Sequence, residues 1–196
     1  KNFNLNIVTT ITEQNCKDSE KFIKDINKEF KPNAISINLF RYHSLKHPKI
    51  PDNLIESYNK AYEKYFSLLD QKKISGLKSI FSNIFTFKDK IQKYIINRVA
   101  KYNEFVTPCT AGNLSYVIME DGTIKPCEIL DNSIGNVVSD NNISEIFKSN
   151  KAKKLRKWIT DTECKCTYEC AMSTNAFFSW PMTKKYFGLF IGQNKI

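Results

Sequence analysis

"TPCTAGNLSYVIMEDGTIKPCEIL", Thr107–Leu130, carries a cysteine near each end and an Asp-Gly pair in its middle. Apolar and β-branched residues flank Asp121-Gly122, a dipeptide that tolerates the positive φ of a tight turn, so the stretch predicts a β-hairpin. Folding about that pair sets Cys127 opposite Tyr116. Cys109 then lies just outside the first arm, with Gly112 letting the chain bend back. Two thiols thereby converge at the open end of one hairpin. Further along, "TECKCTYEC" (Thr162–Cys170) adds Cys164, Cys166 and Cys170 on what reads as a short irregular segment. Between the two groups, "NNISEIFKSNKAKKLRKWI" predicts one helix that can return the second group to the first. Asn142 and Glu145 form its capping-box-like start.

Five thiolates around one point suit a soft metal centre, either zinc or an iron–sulfur cluster held by four cysteines. Zinc sites favour CxxC pairs on tight turns. Here the first pair spans a whole hairpin and the second group is CxCxxxC, so the zinc-knuckle geometry is missing. Spacing alone leaves both metals open. A zinc-binding interaction module with a basic surface is the alternative reading. Because a four-iron cluster takes four ligands, one of the five thiols is expected to be spare.

The 196 residues are 41% hydrophobic and 13% aromatic, the composition of a folded globular chain. No run approaches the roughly 18–20 apolar residues of a membrane span, and no signal peptide is evident. Six cysteines in a chain of this length do not make a secreted disulfide scaffold, so a reducing, cytoplasmic setting is expected. The net charge of +10 is nearly all lysine spread along the chain. Its densest patch, "KAKKLRKW" from Lys151, has Leu155 and Trp158 at helical spacing, so those lysines read as a solvated face. Nucleic-acid binding is therefore not favoured.

Upstream, "NLNIVTTI" (Asn4–Ile11) and "AISINLFR" (Ala34–Arg41) read as buried strands. Between them Phe22, Ile23, Ile26 and Phe30 recur at helical spacing, and Pro32 ends that helix. Strand, helix, strand is a βαβ unit of a parallel sheet. One such unit cannot cover its own faces, and the chain opens on Lys1 rather than Met, so a longer protein with further strands upstream is expected. Amphipathic helices follow near Asn53–Lys72 and Leu77–Tyr102, both with aromatic-rich core stripes. The overall class is α/β in the first part and α+β for the whole. The change of texture near residue 105 sets domains at 1–105 and 106–196, and the aromatic tail from Phe177 is expected to pack back on the body.

Cys109, twelve residues, Gly122, four residues, Cys127, then "SIGNV" and "CKCTYEC" together resemble the SPASM or closely related twitch extension of radical SAM proteins over Pro108–Asn175. The resemblance implies that residues 106–196 bind an auxiliary 4Fe-4S cluster through Cys109, Cys127, Cys164, Cys166 and Cys170 as candidate ligands. Among them Cys109, Cys127 and Cys170 rank first and Cys166 ranks ahead of Cys164. It also implies that residues 1–105 are the last strands and helices of a partial TIM-type barrel. The parent enzyme would cleave S-adenosylmethionine and modify a peptide, protein or small-molecule substrate, with electrons from a donor such as flavodoxin or ferredoxin. The auxiliary cluster would relay electrons or position substrate. The fuller SPASM pattern has seven cysteines and two auxiliary clusters, whereas five thiols ligate only one. The CxxxCxxC loop that holds the S-adenosylmethionine-cleaving cluster is not in this sequence, so that second cluster is expected upstream, and this chain alone is expected to be inactive.

Four other residues draw attention. Arg41 ends its strand where parallel α/β barrels carry their chemistry, and is a candidate contact to substrate or to the S-adenosylmethionine carboxylate. His43 and His47 are four apart, but Pro48 follows and no carboxylate is placed to join them. Cys16 stands alone at a helix start and reads as a packing residue.

Overall fold

The structure is a computed structural model that describes residues 3–41, 50–75, 82–140 and 142–178, with residues 82 and 83 described by their backbone alone. The chain divides into two compact units, Lys1–Asn103 and Glu104–Ile196. His43 and His47 lie outside the described residues, as does the tail beyond Phe178.

In the first unit β1 (Asn6–Ile11) and β2 (Ala34–Leu39) pair in parallel, from Asn6 opposite Ala34 to Ile11 opposite Leu39. Helix α1 (Ser19–Phe30) makes the crossover, and a single 3₁₀ turn at Cys16–Asp18 leads into it. Lys31 ends α1 in a left-handed conformation (φ 47°) and returns its N–H to the Asn27 carbonyl. Asn33 then ties the start of both strands: its side-chain oxygen accepts from Leu5 N–H at 2.8 Å, and its own N–H donates to the Leu5 carbonyl at 2.8 Å. Helix α2 (Asp52–Asp70) packs against α1 and β2, and α3 (Ser82–Tyr102) packs against α2. Ile11, Ile23, Ile37, Leu39, Leu54 and Tyr58 are fully enclosed in this core. Two parallel strands do not establish a barrel, and among the described residues the first unit has no third strand. Cys16 is buried with its thiol against the Glu13 carbonyl, as a packing residue would be.

The second unit has a small antiparallel sheet, β3 (Val117–Ile118), β4 (Thr123–Lys125) and β5 (Gly135–Asn136), in that order. Its helices are α4 (Ile143–Lys148), α5 (Asn150–Asp161) and α6 (Glu169–Phe178). The hairpin register differs by one residue from the sequence expectation. Val117 faces Lys125 and Ile118 faces Ile124, a register that continues to Ser115, not Tyr116, opposite Cys127. The reason is a three-residue loop. Met119 and Thr123 close it, and only Gly122 (φ +83°) takes the left-handed conformation, so Asp121 keeps an ordinary backbone. Asp121 instead accepts from the N–H and hydroxyl of Thr123, which holds its carboxyl below the usual range. The "GN" of the SIGNV stretch is β5, where Asn136 Nδ2 donates to the Asp121 carbonyl at 2.9 Å and locks the loop.

The single helix expected over residues 141–159 is two. Asn142 caps α4 by accepting from Ser144 N–H, and its amide reaches Glu145 at 3.0 Å. Ser149 then turns extended (ψ 156°) and caps α5 by accepting from Ala152 N–H at 3.1 Å. Ile124, Leu130, Ile134, Ile146, Ala152, Leu155 and Ile159 form the core of this unit. Trp158, expected on the apolar stripe, is 44% exposed.

No helix among the described residues is long and apolar enough to cross a membrane. Ile37 is 1% exposed at the centre of the first core. Ile37→Ala should lower stability by about 2–5 kcal/mol, read as a fall in denaturant midpoint at unchanged slope.

Candidate metal centre

Three local devices bring the cysteines of the second unit together. Cys109 precedes a turn in which Asn113 and Leu114 N–H both donate to the Thr110 carbonyl. Gly112 (φ +76°) then lets its N–H reach the Ser115 carbonyl at 2.9 Å and start the first hairpin arm. Cys127 follows Pro126 at the end of β4, at the open end of the same hairpin.

Cys164 is delivered by the end of α5. Glu163 sits in the left-handed region (φ 49°) and donates its N–H to Thr160, while Cys164 N–H donates to Ile159 at 3.0 Å. Those two bonds are a Schellman ending, which aims the residue two past the cap back at the last helical turn. Cys164 therefore packs on the core that Ile159 belongs to, alongside Cys109 and Cys127.

The result is a group of interacting sulfurs. Cys164 is hydrogen-bonded to Cys109, and its thiol is pushed far up by that bond, by burial, and by the negative charges of Cys109, Cys166 and Cys127. Cys109 is held well down, chiefly by the Cys164 bond and further by the Ala111 backbone N–H and the Asn175 side chain, against the effect of burial. Cys166 accepts from Tyr168 N–H at 3.4 Å.

Cys170 is placed differently from the sequence reading. It lies in the first turn of α6 rather than on an irregular segment, and it is exposed. Its neighbours are Tyr168 and, through Tyr168, Glu128; burial and those two partners raise the Tyr168 hydroxyl above its usual range. Cys164, ranked last of the five candidate ligands, packs on the same core as Cys109 and Cys127. Arg41, in the first unit, follows β2 and is half-buried.

Among the described residues no three His, Cys, Asp or Glu side chains are spaced to hold a single metal ion. A cubane spreads its four irons over separate corners, so its cysteines stand farther apart than the ligands of one ion. Four thiols near one another, N–H groups aimed at two of them, and an apolar wall of Ile124, Leu155 and Ile159 fit the needs of such a cluster.

Sequence reasoning missed the side chains that fix this arrangement. Arg156, from α5, donates from Nη1 to the Phe147 carbonyl at 3.1 Å, Tyr116 Oη at 2.9 Å and the Gly112 carbonyl at 3.4 Å. Tyr116 donates in turn to the Gly112 carbonyl and stacks on Phe147 with centroids 4.5 Å apart. One guanidinium thereby ties the Cys109 turn and the α4 end to the helix that delivers Cys164. A signal was available: Arg156 is the single arginine beyond Arg98, in a patch of lysines, and a planar fork does what an ammonium cannot.

Comparison with family models agrees with this geometry. Residues 109–171 match the SPASM family, described as an iron–sulfur cluster-binding domain. The match indicates iron–sulfur cluster binding and is consistent with the C-terminal part of a radical SAM protein. Comparisons with curated proteins and with solved structures gave no match.

Two outcomes test the architecture. Glu163→Gly should raise stability by up to about 1 kcal/mol, because glycine takes the left-handed conformation without a Cβ clash, and Glu163→Val should lower it. Arg156→Leu should cost about 1–3 kcal/mol by leaving the Gly112 and Phe147 carbonyls short of a donor. Thermal or denaturant unfolding reads both.

Proposed function

We propose that this chain is the C-terminal portion of a radical SAM enzyme whose second unit holds one auxiliary 4Fe-4S cluster through Cys109, Cys127, Cys164 and Cys166. The observation that carries the reading is the packing of Cys109, Cys127 and Cys164 on one apolar core, with Cys166 close enough to act on Cys164, inside the stretch that matches the iron–sulfur family. When bound, such a cluster would supply a one-electron carrier.

The residues do the rest. Four protein thiolates would saturate four irons, which favours electron relay over binding of substrate at an open iron. Each cysteine would give up its thiol proton on ligation, since the thiolate is the ligand. Ile124, Leu155 and Ile159 keep water from one side of the centre. The Ala111 and Tyr168 N–H groups donate to sulfur and offset its charge. Cys170, exposed on α6, is the spare thiol.

The S-adenosylmethionine site, its own cluster and the substrate pocket belong to the radical SAM core, toward which Arg41 is the candidate contribution of the first unit. The substrate class is a peptide, protein or small molecule. The net charge of +10 suits an acidic donor of the flavodoxin or ferredoxin kind.

Anaerobic reconstitution of the full chain tests the proposal. A brown protein with about four irons and four sulfides per chain is expected. Cys109→Ser, Cys127→Ser and Cys164→Ser should each lose most of that iron, whereas Cys170→Ser should keep it. A colourless protein carrying one zinc would overturn the reading in favour of an interaction module.

A further inference from the structure

Helix α5 carries its charge unevenly. Its inner face, Ala152, Leu155 and Ile159, belongs to the core on which Cys109, Cys127 and Cys164 pack. Its outer face presents Lys151, Lys153, Lys154 and Lys157, all exposed, against a single carboxylate, Asp161, which pairs with Lys157 at 2.8 Å. Helix α1, also on the surface, balances Lys21, Lys24 and Lys28 with Glu20, Asp25 and Glu29. The imbalance on α5 runs against helix stability. Lys151 and Lys153 sit in its first turn, where the helix dipole is positive, and that turn has no acidic residue. Solvation alone does not require cations at that end.

Trp158 stands on the same side. Expected on the apolar stripe, it is instead 44% exposed. Lys151, Lys154 and Trp158 fall at i, i+3 and i+7, one stripe along the helix. The next residue, Ile159, accepts the Cys164 N–H at 3.0 Å, so one peptide bond and one hydrogen bond join Trp158 to Cys164. A helix is about 10–12 Å across, so the basic face and the cysteine-bearing core are the two sides of one element.

We infer that this face, Trp158 with Lys151, Lys154 and Lys157, is the docking surface for an acidic protein that carries one electron to the metal centre. This rests on the cluster-binding reading above and adds to it where the partner sits. Charge complementarity selects the occupant. Exposed lysines steer an acidic surface and speed encounter, and an exposed indole supplies the anchor that interface centres favour. On docking, one electron leaves the reduced carrier, which is oxidised, and enters the centre, which is reduced; no bond forms or breaks. A nucleic acid fits less well. The one arginine of α5, Arg156, is turned onto the Phe147 and Gly112 carbonyls and Tyr116, so the outer face offers no planar fork for phosphate.

The experiment uses the full chain reconstituted with iron and sulfide, with an acidic ferredoxin as the probe. Wild type labelled with 5-fluorotryptophan has two fluorine resonances, from Trp158 and Trp180, and Trp158→Phe assigns them. Ferredoxin should shift or broaden the Trp158 resonance at about 0.05 M salt, with affinity falling roughly 10-fold by about 0.3 M. The triple variant Lys151→Glu, Lys154→Glu, Lys157→Glu should keep full iron and bind roughly 10-fold more weakly. Its centre should be reduced more slowly by reduced ferredoxin but not by dithionite. Lys21→Glu, Lys24→Glu, Lys28→Glu makes the same change of net charge on α1 and should bind within about twofold of wild type.

A fully loaded wild type that fails to bind ferredoxin at low salt, or binds it without moving the Trp158 resonance, would overturn the inference. So would an α5 triple variant that binds as wild type does. A single-stranded RNA oligomer that binds wild type more tightly than ferredoxin, and is lost with the same three lysines, would also overturn it. A wild-type chain that takes up no iron would instead bring down the cluster-binding reading, and this inference with it.

Discussion

The approach of two free thiols, Cys109 and Cys164, on a shared apolar core lies at the centre of the second unit. In an ordinary core this would be a poor arrangement. Half-buried thiols with Cys127 and Cys166 beside them oppose one another once more than one of them ionises. The chain nonetheless commits a hairpin, two helix caps and an arginine to making it. That investment is intelligible if the sulfurs are ligands, because a cationic iron centre turns mutual repulsion into shared coordination.

The supporting residues divide into two kinds. Arg156 is a clamp on backbone carbonyls: it acts on the Phe147 and Gly112 oxygens and on Tyr116, and it sets where the Cys109 turn sits against α5. Asn175 works one layer in, accepting from the Thr110 N–H and hydroxyl beside Cys109. The first kind of residue holds carbonyls and the second holds donors. Both are polar groups next to an apolar core, and both are satisfied by several partners, as burial requires.

Much of this was legible in the residues. The βαβ unit, the amphipathic helices and the Asp-Gly hairpin follow from periodicity and turn chemistry, and the cysteine pattern carried the resemblance that the family match at residues 109–171 supports. The omissions have physical causes. Apolar periodicity runs on either side of Ser149, so the break between α4 and α5 depends on a serine choosing a cap over a helical conformation. α6 begins just after the CKC run and has no strong polar face, which made Glu169–Cys170 read as loop. Arg156 and Asn175 act on residues far away in sequence, and no local pattern announces that kind of partnership. The turn that aims Cys164 gives no sequence signal because a left-handed glutamate, not a glycine, makes it.

The hairpin's three-residue loop has a consequence for how such a centre can change over generations. Strand side chains alternate between faces, so the count of residues at the tip decides which side of the ribbon every later residue meets. Met119 and Thr123 close that tip, and Ile124 enters the core immediately after it. Loss of one residue there would put β4 out of phase with β3, swinging Ile124 outward and Cys127 off its bearing. Insertions and deletions at this tip are thus coupled to chemistry at the ribbon's other end, and length there is as constrained as the identity of any ligand.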